Sequence, residues 1–249
     1  MFDRSLQFTK TPLRLLDIRL GVFTLLFTAV IVTFCARDRA AGESSMRFRS
    51  EIRQFKAADS AMMPPEGAVL FVGSSSIRTW HPRLAKDFPE RAVIGRGFGG
   101  STMQWLLYYF DQIVTPYKPS IIVVYEGDND LARSDDVEVV AKRFDEFIRR
   151  VSEKLPGTSI AFISIKPSVA RWNRRPLQEK LNAHLMKAAA DNKNIWYIDI
   201  ATPMLKSAKS PGQPPSKDLL IEDGLHLSDK GYDLWAKIVQ ETLKQIEAQ

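Results

Sequence analysis

The stretch AVLFVGSSS, residues 68–76, sets the reading of the fold. Its first five residues are apolar without alternation, the pattern of a strand buried on both faces, and a glycine followed by three serines ends the run. Runs of the same kind recur at residues 92–95 (AVIG), 121–125 (IIVVY), 159–165 (SIAFISI) and 195–200 (IWYIDI). Helical patterns accompany them at residues 102–110, 137–155, 177–191 and 228–246. Strand and helix therefore alternate. Right-handed crossovers then build a five-stranded parallel sheet covered on both faces, a three-layer α/β/α sandwich.

Ligands of such a sheet bind beyond the carboxyl ends of its strands. There the chain carries Gly73-Ser74-Ser75-Ser76 after the first run, Gly97-Phe98-Gly99-Gly100-Ser101-Thr102 after the second and Gly127-Asp128-Asn129-Asp130 after the third. Three polar, glycine-bearing loops converge on one edge. Each has a plain structural use: a serine caps a helix, glycines make a tight turn, and Asp128-Asn129-Asp130 starts a helix or an Asx-turn. Asp128 and Asp130 are a poor calcium loop, because two carboxylates do not make a ring of oxygen ligands.

A serine needs a base to become a nucleophile, and the chain holds three histidines, His81, His184 and His226. His184 falls within a helical pattern and His81 lies between Trp80 and Pro82 in a connecting segment. His226 stands three residues after Asp223, just before Ser228, a candidate helix cap. One turn puts that aspartate and histidine on the same side. The carboxylate can then hold Nδ1–H and leave Nε2 to take a serine proton.

Taken together, these residues resemble the SGNH hydrolase superfamily, also called GDSL esterases/lipases, from about Gly67 to the C-terminus. Its nucleophile block matches Gly73-Ser74-Ser75, its glycine block Gly97 to Ser101, its Gly-x-Asn-Asp block Gly127 to Asp130 and its Asp-x-x-His block Asp223 to His226. The resemblance implies a flavodoxin-like sheet, Ser75 as nucleophile, His226 as base and Asp223 as its orienting acid. It further implies an oxyanion hole formed by the Ser75 and Gly100 amides and the Asn129 side chain. The family usually has aspartate where this chain has Ser74, which bears on the support of the turn at Ser75. Gly-x-Ser-x-Gly is missing, since Ile77 stands where the second glycine would be, and this counts against an ordinary α/β-hydrolase.

Length and charge bound the rest. The 249 residues accommodate one α/β domain of about 200 residues and an appendage. Net charge is +6, but residues 1–53 carry nine Lys/Arg against five Asp/Glu, so the body of the chain is nearly neutral and no nucleic-acid partner is expected. A single cysteine, Cys35, excludes an intrachain disulfide framework and a Cys-rich zinc site. Residues 20–36 run 17 residues without a charge between Arg14 and Arg19 on one side and Arg37 and Arg39 on the other. That is the short limit of a transmembrane helix, and it is read as an uncleaved single-pass anchor ahead of a cleaved export signal or a core helix. The expected organisation is a tail at 1–19, the anchor at 20–36, a linker at 37–66 with an amphipathic stretch near 46–58, and the hydrolase domain at 67–249.

The expected activity is that of a membrane-anchored serine esterase or deacylase acting on small-molecule, lipid or glycan esters, with no metal or organic cofactor, its catalytic domain periplasmic or otherwise extracytoplasmic. The rivals are a noncatalytic tethered domain that keeps the pocket and a membrane-tethered scaffold. After the fourth strand, Arg171 and Trp172 lie in a basic, aromatic segment at the same sheet edge. They are read either as a substrate wall or as a solvated loop.

Overall fold

Five parallel strands in the order β2-β1-β3-β4-β5 form the sheet: β1 (Val69–Gly73), β2 (Val93–Gly97), β3 (Ile121–Tyr125), β4 (Ser159–Ile163) and β5 (Ile195–Ile198). The computed structural model describes residues 47–249. Its helices are α1 (Arg49–Ala61), α2 (Ser75–Trp80), α3 (Leu84–Asp87), α4 (Met103–Tyr108), α5 (Phe110–Ile113), α6 (Asp128–Arg133), α7 (Val137–Lys154), α8 (Arg175–Asp191), α9 (Ala201–Lys206) and α10 (Asp229–Glu247).

Alternate strand residues serve different helix layers, as the pleat requires. Val69, Phe71, Ile121, Val123, Tyr125, Ala161 and Ile163 share a core with Ile77 and Trp80 of α2 and with Tyr232, Trp235, Val239 and Leu243 of α10. On the opposite face, Phe162 of β4 meets Phe144 and Phe147 of α7 at ring-centroid distances of 5.4 and 6.3 Å. The continuous apolar runs of β1 and β3 follow from this two-sided burial. The expected sandwich is thus present.

Details differ from the sequence reading. The run at 159–165 stops being strand at Ile163, because the Ile165 amide donates to the side-chain Oδ1 of Asn182 (2.6 Å) instead of to a neighbouring strand. The helix expected over 102–110 breaks into α4 and α5 at Tyr109. Ser228 caps α10 as expected, accepting from the Gly231 amide at 3.2 Å.

The compact unit runs from Glu51 to Gln249 and so takes in α1, which precedes the 67–249 expected for the hydrolase domain. Asp59 of α1 is the reason: it pairs with the Arg96 guanidinium and accepts from the Tyr117 hydroxyl at 2.6 Å. Arg96 is buried on β2 and also donates to the Tyr117 oxygen at 2.6 Å. The anchor and tail expected at 20–36 and 1–19 lie outside the described residues. Among the described residues, no helix is long and apolar enough to cross a membrane.

Removing Asp59 leaves the buried Arg96 charge without its acid, and breaking such a pair costs about 3 kcal/mol. Asp59→Ala is therefore expected to lower the urea midpoint at unchanged denaturant dependence. An unchanged midpoint would show that α1 adds nothing to the folded unit.

Candidate active site

The strand order reverses direction at β1, which has β2 on one side and β3 on the other, and the crevice at such a switch point is where open α/β sheets bind ligands. Gly73 ends β1 there, opposite Gly97 of β2 and Tyr125 of β3. Its φ of 147° and its surroundings both demand glycine, since a Cβ would fall 2.1 Å from the Tyr125 carbonyl oxygen. Gly97 is demanded by packing alone: a Cβ would fall 2.3 Å from the Arg78 nitrogen of α2. The two glycines let the start of α2 sit directly on the ends of β2 and β3.

Ser75 opens α2 at this point. The preceding Ser74, at the position where the resemblance leads one to expect aspartate, is buried, and its backbone fastens the turn: its amide donates to the Tyr125 carbonyl (3.1 Å) and its carbonyl accepts from Arg78 (3.1 Å). Support for the turn comes through the main chain, which any residue supplies.

Asp223 and His226 arrive from the other end of the sequence in a tight loop. The Ile221 amide donates to the His226 carbonyl (2.9 Å), Ser228 to that of Leu219 (3.1 Å), and Gly224 turns with φ of 65°. The Tyr232 hydroxyl of α10 donates to the Ser76 carbonyl at 2.9 Å, so the loop before α10 is held against the start of α2. Within it, Nδ1 of His226 lies 2.5 Å from Oδ2 of Asp223, and Nε2 lies 2.9 Å from Oγ of Ser75. An ionised carboxylate only accepts, so Nδ1 carries the hydrogen and Nε2 offers its lone pair to the Ser75 hydroxyl. Partial burial works to raise the Asp223 carboxyl. Hydrogen bonds from the His226 side chain and from the His226 and Leu225 amides outweigh it and hold the group at about 2.

The loops after β2 and β3 close the other side. Asn129, nine-tenths buried, donates from Nδ2 to the Ser101 carbonyl at 2.9 Å and accepts at Oδ1 from Nη2 of Arg171 at 2.9 Å. Gly100 turns with φ of 79° beside it, and its carbonyl accepts from Arg133 at 3.1 Å. Ser75, His226 and Asp223 are thus joined in one chain of hydrogen bonds, and Asn129 is bonded to the loop that carries Gly100.

Arg171 reaches the site but is engaged, because Nη1 also lies 2.9 Å from Oδ2 of Asp128. Trp172 sits in a 3₁₀ turn, half-buried, with the Arg175 guanidinium 4.9 Å over its ring. The other two histidines stand apart from this chain. His184 pairs with Asp145 on the helix surface at 2.7 Å, and His81 packs against Gly95, where a Cβ would meet its ring at 2.6 Å.

Acidic residues at the exit of β3 also contribute in ways the sequence reading did not foresee. Buried Glu126 accepts from the Ser101 hydroxyl, and burial, with Asp130 nearby, pushes its carboxyl well above the usual range. Asp130 accepts from the Met103 amide at 3.1 Å and so fastens the start of α4. Their only sequence signal was three carboxylates in five residues directly after an apolar strand. Among the described residues, no three His, Cys, Asp or Glu side chains stand together to hold a metal ion.

The sequence profile of the GDSL-like lipase/acylhydrolase family matches residues 59–234, and the chain belongs to that family of ester-hydrolysing enzymes. Among solved structures, a GDSL-like lipase from Bacteroides thetaiotaomicron is 18% identical with a TM-score of 0.65, over 78% of this chain and 97% of its own. A lipase/acylhydrolase from Enterococcus faecalis is 21% identical with a TM-score of 0.60, over 72% and 96%. An acetylxylan esterase from Geobacillus stearothermophilus is 16% identical with a TM-score of 0.55, over 71% and 94%. At these identities the likeness is one of fold. No curated protein sequence matches the chain.

A carboxyl held at about 2, below an unfolded value of about 3.9, stabilises the fold fully above pH 4 and ceases to do so as the pH falls through 2. The difference in unfolding free energy between wild type and Asp223→Asn is expected to shrink as the pH falls from 4 to 2. Urea titrations across that range check this. A difference that does not change there would place the carboxyl in a different environment.

Proposed function

We propose that the protein is a serine esterase that cleaves carboxylic esters through an acyl-enzyme on Ser75. The hydrogen-bonded chain from Asp223 through His226 to Ser75, with its 2.9 Å Nε2–Oγ contact, is the observation that carries the reading. Ser75 Oγ attacks the ester carbonyl while His226 Nε2 takes the hydroxyl proton and Asp223 stabilises the imidazolium. The carbonyl oxygen becomes an oxyanion, met by the Ser75 and Gly100 amides and by the Nδ2 hydrogen of Asn129 that is not bonded to Ser101. Collapse expels the alcohol, which takes the proton from His226, and leaves the acyl group on Ser75. A water then repeats the sequence: His226 takes its proton, its oxygen attacks the acyl carbon, and the acid leaves as Ser75 regains the proton.

The substrate class is a carboxylic ester of a small molecule, lipid or glycan. The fold likeness to lipases and to an acetylxylan esterase spans that range without choosing within it. A noncatalytic pocket is the rival prompted by Ser74, and the main-chain bonds of Ser74, which hold the turn without an aspartate, favour the catalytic reading.

Purified protein is expected to hydrolyse a short-chain aryl ester with chelator present, and Ser75→Ala to reduce the rate to background. Losing one oxyanion donor lowers kcat by about 10² to 10³ with binding less affected, which is the effect expected of Asn129→Ala. Hydrolysis that survives Ser75→Ala would overturn the reading.

We further infer that residues 20–36 anchor the chain in a membrane as a single pass with the catalytic unit extracytoplasmic. The 17-residue charge-free run supports this. Full-length protein is expected to stay with membranes after alkaline carbonate washing, and a chain begun at Glu51 to be released. Recovery of a mature protein beginning near Glu43 would favour a cleaved signal.

A further inference from the structure

The segment that leaves β4 touches both halves of the site. The Ala170 amide donates to the Gly224 carbonyl at 3.0 Å, and Val169 fills the space where a Gly224 side chain would stand, so the segment backs the loop of Asp223 and His226. One residue on, Arg171 spreads its guanidinium between Oδ2 of Asp128 and Oδ1 of Asn129, at 2.9 Å each. Asp128 is itself buried and gripped by Lys166 Nζ and Gln178 Nε2, both buried and both at 3.3 Å. Burial works to raise the Asp128 carboxyl, but Lys166 and Arg171 outweigh it and hold it below its usual value, so it is ionised. The fork of Arg171 therefore has a fixed anchor on one tine and Asn129 on the other.

What this does to Asn129 follows from the inventory of donors and acceptors. An asparagine side chain can sit in either of two orientations related by a half-turn about its amide, with O and N exchanged. Arginine has donors only, so the atom facing it must be Oδ1; the Ser101 carbonyl only accepts, so the atom facing it must be Nδ2. Both neighbours enforce the same orientation. One Nδ2 hydrogen is spent on Ser101, and the other is left in a fixed direction.

We propose that Arg171 is a positioning residue of the oxyanion hole, its guanidinium fixing the Asn129 amide so that the free Nδ2 hydrogen is aimed before substrate arrives. The proposal rests on the reading of Asn129 as an oxyanion donor. It replaces the substrate-wall reading of Arg171, from which it differs in a measurable way. A wall changes KM for large substrates and spares a minimal aryl acetate, whereas a positioning residue lowers kcat for every ester, the smallest included.

The test is a double-mutant cycle on the full chain with an aryl acetate. Arg171→Ala is expected to lower kcat by about 10- to 10²-fold, less than the loss of a whole donor, with KM changed no more than about threefold. Arg171→Lys keeps the charge beside Asp128 without the two-pronged geometry, and is expected to show the same pattern more mildly. In an Asn129→Ala background, removing Arg171 should cost no more than about a further threefold, because the group it positions is gone. Equal loss in both backgrounds, or an effect on KM alone, would overturn the proposal. A second measurement needs no turnover: the side-chain amide pair of Asn129 in a ¹H–¹⁵N spectrum, assigned by its absence in Asn129→Ala. Slow exchange in the wild type that is lost in Arg171→Ala and Arg171→Lys supports positioning, and unchanged exchange contradicts it. If the wild type hydrolyses no ester, the esterase reading fails while the amide signals still decide the role of Arg171.

Discussion

The contact on which the site depends is between main chains. At the end of β1, the Gly73 Cα faces the Tyr125 carbonyl, and at the end of β2 the Gly97 Cα faces the backbone of α2, each at a separation that leaves no room for a methyl group. A side chain at Gly73 would strike the β3 carbonyl, and one at Gly97 would push α2 outward. Ser75 lies two residues beyond Gly73, so its position is set by this approach. Asn129 lies four residues beyond Tyr125, on the strand that supplies the carbonyl, and the first helix after β1 and the first after β3 are therefore built on a common base. Tyr232, bonded to the Ser76 carbonyl, brings His226 and Asp223 to the same place from the far end of the chain.

Around that base, three acidic residues leave β3 in succession and meet different fates. Glu126 is buried with a hydroxyl for company, and its carboxyl is pushed up. Burial raises Asp130 as well, against the Met103 amide and Arg143. Asp128 is held below its usual value by two cations. Burial thus works against charge on Glu126 and Asp130, whereas two cations favour it on Asp128. Asp128 is the one that holds Arg171, and through it the Asn129 amide.

How much of this could be read from the sequence depended on distance along the chain. β3 was legible end to end because Pro119 and Gly127 bracket an unbroken apolar run. Asp223 and His226 were legible because three residues suffice to join them. β4 was read two residues too long: the Ser164 amide still donates to Ile198 of β5, but the Ser164 hydroxyl accepts from the Ile200 and Ala201 amides at 3.0 Å each, and the Ile165 amide turns to the Asn182 side chain. α2 and α3 have six and four residues, too few to show a period. Asp59 with Arg96, and Arg171 with Asn129, are joined across 37 and 42 residues by polar groups alone, so hydropathy carries no trace of either pairing. For that reason α1 reads as linker, and Arg171 as a substrate wall or part of a solvated loop.

The central claim is that Ser75, among three adjacent serines, is the group His226 activates. Treating the full-length protein with a fluorophosphonate and mapping the adduct by peptide mass spectrometry tests it most directly, in wild type and in His226→Ala. The expected result is one phosphonyl group on Ser75 in the wild type and none in the histidine variant. An adduct on Ser74 or Ser76, or labelling of Ser75 that is indifferent to the loss of His226, would contradict it.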